Sequence, residues 1–230
     1  GARGVPTYLE RISASPDGTR IAIGGLQANV ERGLFLDGQA RTHETAARAM
    51  VRIVGLDGEQ LDARHFDDRD RVSALTWSPL GDWLFAAMHG METVEILDSW
   101  SLELTGAFLD VCGGPDGLWT DGDVLWIACG LSRELVAYSL ADLGGLPDEV
   151  ARVSLLPPGG EVLDPEVLLG KQIFHRSADP RMTKDGYLSC ATCHLDGDQD
   201  GRVWDFTDRG EGPRNTISLL GRGGAAPIHW

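Results

Sequence analysis

The sequence predicts a multidomain β + α chain, with partial β-propeller blades over residues 1–156 and a small, mainly helical unit over residues 161–230. Three observations carry that expectation. Up to residue 160, short β-branched and aromatic runs alternate with Pro/Asp/Gly turns, and a helical period first appears at Glu161. The turn glycines Gly81 and Gly122 lie 41 residues apart, the length of a four-stranded propeller blade. The last part of the chain instead carries Cys190-Ala191-Thr192-Cys193-His194, a spacing that belongs to cofactor chemistry.

The β elements follow in order. Ile12 to Gly24, Leu75 to Gly90 and Gly117 to Gly130 each read as an apolar strand, a tight glycine turn and a second apolar strand ending in small residues. The outer strands are expected near Met50–Leu56, Gly58–Phe66, Thr93–Asp98, Glu103–Leu109, Leu135–Leu140 and Glu149–Leu155. Three blades result, over about residues 5–65, 70–110 and 115–156, in a repeat that resembles WD40/YVTN-like propellers. Propellers close with about four to eight blades, so three form an open arc. The chain starts at Gly1 without a methionine or signal sequence, and further blades are expected ahead of it. From Pro16 to Pro79 is 63 residues, a 22-residue excess over one blade that falls between Gly24 and Ala49. That excess reads equally as a binding flap or as a disordered or merely decorative hairpin.

Cys112 and Cys129 flank a hairpin expected to turn at Asp121-Gly122, which sets 114 against 129 and 112 against 131. The thiols are then diagonal neighbours, and a small bulge brings them into bridging range. A disulfide and two buried free thiols both stay open.

A C-x-x-C-H run is the attachment signature of a c-type haem: two cysteines three apart reach the two vinyl groups of one porphyrin, and the adjacent histidine ligates the iron. Cys190 and Cys193 are therefore the expected attachment points and His194 the iron ligand. Zinc would need a fourth donor, and no second Cys/His pair stands at finger or ribbon spacing.

Around this motif, Gly170-Lys171-Gln172-Ile173-Phe174, Asp179-Pro180-Arg181-Met182, Ser189 to His194 and Gly212-Pro213-Arg214-Asn215-Thr216-Ile217-Ser218-Leu219 follow one another in order. Together they resemble the bacterial di-haem cytochrome c peroxidase and MauG-like family over about the last 65 residues. Met182 departs from that family's usual Leu, and the chain ends at His229-Trp230, where its W-D-G would begin. The resemblance implies a cytochrome c domain over residues 161–230, incomplete because the family carries two haems and this sequence one motif. A second haem segment is expected after Trp230.

The resemblance further implies a peroxidase-like oxidoreductase, in which one haem meets peroxide and the other, reached through an aromatic relay at the place of Trp230, supplies an electron. A Trp there equally fills space beside a porphyrin. Arg214 suits a haem propionate through its planar fork, with surface exposure the alternative. The far side of the iron has His175, Met182 and His229 as candidates, or is open to water and peroxide. Met182 matches a core Leu of the family and reads as packing. Asp196-Gly197-Asp198-Gln199-Asp200-Gly201 begins like a calcium loop, but position twelve is Thr207 rather than Glu. Calcium is a candidate ligand there and a solvated acidic turn the alternative.

Net charge is −15, with 24 acidic and 12 basic side chains up to residue 160 and 11 and 8 beyond it. Such a surface repels nucleic acid and anionic membranes and favours a basic redox partner such as a small cytochrome, or serves solubility alone. Lys171 and Lys184, the only lysines, both lie in the haem segment. No stretch approaches the ~18 apolar residues of a transmembrane helix. Covalent haem attachment implies a periplasmic or secreted location. A second function class also fits: a propeller that captures a partner protein, with the haem as a passive relay.

Overall fold

The computed structural model describes residues 5–28, 47–145, 148–183, 186–206 and 212–222. Twelve strands come first: β1 (Val5–Ala14), β2 (Arg20–Ala28), β3 (Ala47–Gly55), β4 (Gln60–Phe66), β5 (Val72–Trp77), β6 (Trp83–Met88), β7 (Thr93–Asp98), β8 (Leu104–Phe108), β9 (Pro115–Asp121), β10 (Val124–Cys129), β11 (Glu134–Ser139) and β12 (Glu149–Ser154). They form three four-stranded antiparallel meanders, β1–β4, β5–β8 and β9–β12, each paired in chain order. Successive sheets meet through their first strands, β1 on β5 and β5 on β9. This is the arrangement of consecutive propeller blades.

Two apolar cores lie between the sheets, because period-2 alternation gives each strand one side chain set per face. The first joins Ala22, Leu26, Val51 and Ile53 of sheet one to Leu84, Ala86, Met88 and Leu97 of sheet two. The second joins Phe85, Ala87, Val94 and Ile96 of sheet two to Leu125, Ile127, Val136 and Tyr138 of sheet three.

The excess in the first blade is partly strand. β2 and β3 run on to pair Ala28 with Ala47, and the remainder, including Arg41, His43 and Glu44, lies outside the described residues.

The β9–β10 hairpin turns one residue later than expected: Asp121 pairs with Val124, and Gly122 takes a φ of 56°. A bulge then sets Cys129 opposite Pro115, and Cys112 and Cys129 are disulfide-bonded with Cα atoms 6.0 Å apart. The bridge closes a loop of 17 residues beside the second core. Cys112→Ala/Cys129→Ala should therefore lower stability by about 3 kcal/mol, the entropy of closing such a loop in the unfolded chain. A urea midpoint unchanged from that of the oxidised parent would refute this.

Beyond the sheets lie α1 (Pro165–His175), α2 (Cys190–Cys193), a 3-10 turn at Leu195–Gly197 and the hairpin β13 (Val203–Phe206) with β14 (Gly212–Asn215). Asp164 caps α1, its carboxylate accepting from Glu166 N at 2.9 Å. The expected mainly helical unit is not shown: the described residues hold one helix of 11 residues and a single four-residue turn. Glycine and aspartate density between 196 and 201 breaks helix and favours turns and a hairpin.

Candidate functional site

The C-A-T-C run forms one helical turn, α2. Ser189 N donates to Thr192 Oγ1 at 2.9 Å, and His194 N donates to Cys190 O at 2.9 Å, closing the turn beneath the histidine. Residues three apart share one side of a helical turn, so both sulfurs sit on the same side. Cys190 and Cys193 are free and half-buried. Burial pushes the Cys190 thiol up, and burial with nearby Asp200 pushes Cys193 up to about 12. Both are therefore protonated at neutral pH, which disfavours a thiolate nucleophile and suits S–H addition to a vinyl group. His194 Nδ1 is buried without a hydrogen-bond partner. Among the described residues no group of three or more His, Cys, Asp or Glu could hold a metal ion. Two free thiols and an unpartnered imidazole nitrogen on one turn fit the donor set of a covalent haem.

The blades hold this turn in place. Cys193 packs with Met91 and Leu188 against the first core, which also takes in Tyr8 of β1 and Trp204 of β13. Trp204 Nε1 donates to Asp200 Oδ2 at 2.7 Å, and the Arg202 guanidinium lies over the Tyr8 ring. The buried Arg48 donates to Tyr187 Oη at 2.9 Å and pairs with Asp67. Ser177 N and Ala178 N donate to Gly90 O at 2.9 and 3.1 Å, and Arg176 pairs with Glu92 at 3.0 Å. Tyr8, Arg48, Gly90 and Met91 were not legible as site residues, because each lies in an ordinary strand or turn far away in sequence.

The other expected residues are dispersed. Arg214 is exposed on β14, and among the described residues its Nη1 donates to the neighbouring Pro213 O. Met182 is 42% exposed in the turn that Met182 N closes on Asp179 O, so the expected core packing is not found. His175 ends α1 edge-on to His89 of the second blade, ring centroids 5.4 Å apart. His229 and Trp230 lie outside the described residues, as does Lys184. Among the described residues the acidic side chains of the expected calcium loop serve local turns, and Thr207 lies outside the described residues. Asp200 accepts from Arg202 N and Trp204 Nε1, Asp198 accepts from Gln199 N, and Asp196 sits at a φ of 53°.

Where His89 meets His175, pH acts on stability. His89 is 6% exposed, and burial, then Arg71 and His175, lower its pKa to about 3. The unfolded chain titrates near 6.5, so between these values it binds the proton that the fold excludes. Stability is full above pH 6.5 and is lost as pH falls toward 3. His65, held at about 4 by burial, acts in the same direction, whereas Asp70, raised to about 6 by burial, opposes both between about pH 6 and 4. The net expectation is a Tm that falls from pH 7 to pH 4.5 and falls less in His89→Gln. An equal slope in both proteins would count against it.

No family model matches the chain. Over 109 residues it is 31% identical to the methylamine utilization protein MauG of Methylorubrum extorquens, an alignment taking in 46% of this chain and 26% of that protein. The chain thus spans about a quarter of that relative's length. Among solved structures it is similar to the Pseudomonas aeruginosa periplasmic gluconolactonase PpgL (TM-score 0.48, 16% identity, 69% of this chain and 46% of that one). It is also similar to Kuenenia stuttgartiensis hydrazine synthase (0.48, 15%, 59% and 46%) and Chaetomium thermophilum Sqt1 (0.47, 18%, 64% and 34%). The blade assignment rests on strand order and packing, not on these scores.

Proposed function

We propose that the chain is a c-type haem electron-transfer protein, part of a periplasmic or secreted oxidoreductase of the cytochrome c peroxidase and MauG-like kind. The observation that carries this reading is the Cys190–His194 turn, with two free thiols and a buried imidazole nitrogen that has no hydrogen-bond partner; the identity to MauG supports it.

Cys190 and Cys193 would hold the porphyrin through thioethers, and His194 would take the iron. Haem bound there supplies one-electron and peroxide chemistry. The rest is done by this chain. The blade contacts at Gly90, Arg48 and Tyr8 fix the turn, so that the ligand histidine keeps one orientation. The planar fork of Arg214 offers a propionate two parallel donors. The acidic blades attract a basic donor such as a small cytochrome and speed its encounter at low salt.

Peroxide tests the enzymatic half. The ferric protein mixed with hydrogen peroxide should change its Soret band within seconds and oxidise a reduced basic cytochrome, and Met182→Leu should leave both responses unchanged. A peroxide-inert, six-coordinate spectrum would instead favour a partner-binding propeller with a passive haem relay.

A further inference from the structure

The segment after the haem-binding turn brings two fixed charges back to it. Asp200 stands six residues after His194, at the bend that leads into β13, where Gly201 takes a φ of 69°. Both oxygens of its half-buried carboxylate are held inside this segment: Oδ1 accepts from Arg202 N at 3.0 Å, and Oδ2 accepts from the Trp204 indole Nε1 at 2.7 Å. Trp204 is 8% exposed and belongs to the first core, against which Cys193 also packs. The Arg202 guanidinium lies 3.1 Å from the centroid of the Tyr8 ring, a member of the same core.

These charges act on the attachment point with opposite signs. After burial, the largest influence on the Cys193 thiol is Asp200, which raises its pKa, while Arg202 lowers it and weighs less. The Tyr8 phenol, raised first by burial, meets the same pair in the same order. The net field at this end of the turn is therefore negative. A thioether at Cys193 leaves only the former vinyl carbons between the sulfur and the porphyrin, so a haem attached there would bring its ring edge toward that field.

We propose that Asp200, held in place by Trp204, lowers the reduction potential of a haem attached at Cys193, and that Arg202 opposes it. The inference rests on the haem reading above and adds what sets the potential of that site. Ferric haem carries one more positive charge than ferrous haem, so a fixed anion nearby favours the ferric state and a fixed cation the ferrous one. The first core keeps water from one side of the pair, and charges interact more strongly there than in open solvent. The indole bond ties the carboxylate to the segment, so its charge stays beside the turn. A lowered potential keeps the resting iron ferric, the state in which the proposed activity meets peroxide.

Redox titration of the haem-loaded protein separates charge from structure, because the two variants must move the midpoint in opposite directions. Asp200→Asn keeps an oxygen for the indole and removes the charge; it should raise the midpoint, lowering the ferric-to-ferrous ratio at the parent's midpoint on the order of 3-fold or more. Arg202→Gln should lower the midpoint, by less. The haem-free Cys190→Ala/Cys193→Ala chain carries the same indole bond, and there exchange of the Trp204 indole N–H with solvent should speed up in Asp200→Ala but not in Asp200→Asn. Shifts of the same sign in the two haem-loaded variants overturn the proposal, as does an indole that exchanges alike in all three haem-free chains. A parent that binds no haem removes the haem reading and this inference together, whereas haem-bearing protein whose midpoint is indifferent to Asp200→Asn removes this inference alone.

Discussion

Cys190→Ala/Cys193→Ala protein, expressed with a haem-attachment system, should lose all covalent haem. On a denaturing gel the parent band stains for haem and the variant band does not, because without thioethers only the iron ligand remains and denaturant removes it. Elemental analysis of the parent should give one iron per chain, matching the single C-x-x-C-H. Single variants retain one thioether and should show a weakened band with a shifted pyridine haemochrome. Because neither sulfur belongs to the disulfide, the fold should survive: Cys112–Cys129 ties the β8–β9 connection to β10, on the second core. Zinc in place of iron, or staining that persists in the double variant, would end the haem reading.

Gly90→Ala should loosen the haem segment from the blades. A Cβ on Gly90 would stand 2.6 Å from both Asp70 Oδ2 and His175 O and 2.8 Å from Ser177 N. Two of these atoms are backbone and the third belongs to a buried carboxylate that accepts from Gly90 N at 2.9 Å. None can yield cheaply. Either Asp70 gives up its bond or the segment 175–178 after α1 retreats, and the two bonds into Gly90 O go with it. Overpacking and two lost hydrogen bonds together cost on the order of 2–5 kcal/mol. Blade packing itself is untouched, so the loss should be local. Limited proteolysis should cut between residues 156 and 190 much faster in the variant, and amide exchange at Ser177 and Ala178 should rise while that of β6 and β10 holds. Unchanged exchange at Ser177 would show that the loop absorbs a methyl group and that the docking is not as drawn.

Much of the β architecture was legible. Thr93–Asp98 is β7 as expected, and the expected Glu103–Leu109 and Glu149–Leu155 differ from β8 and β12 only at their ends. Strand alternation and Gly-Asp turns are local, so a window of ten residues contains the information. The hairpin at Gly122 shows where this stops. Local turn rules put the turn one residue early, and the disulfide partners meet through a bulge at Cys129 that no rule of alternation predicts. The mainly helical expectation for residues 161–230 is not shown among the described residues for a related reason: the motifs there are spaced by loops, and Trp204 of β13 packs against the first core.

Alone, the sequence determined the strand positions, the blade repeat and the Cys190–Cys193–His194 turn, all set by spacings within a few residues and by side-chain chemistry that needs no neighbour. Only the tertiary structure decided which partners those elements meet. It put a buried Arg48 under Tyr187, 139 residues away, and set Cys193 against the core shared with Tyr8. Such pairings depend on how whole sheets stack. The free energy of burial is non-directional and roughly proportional to area, so it rewards many packings almost equally until backbone register and a few buried polar contacts select one.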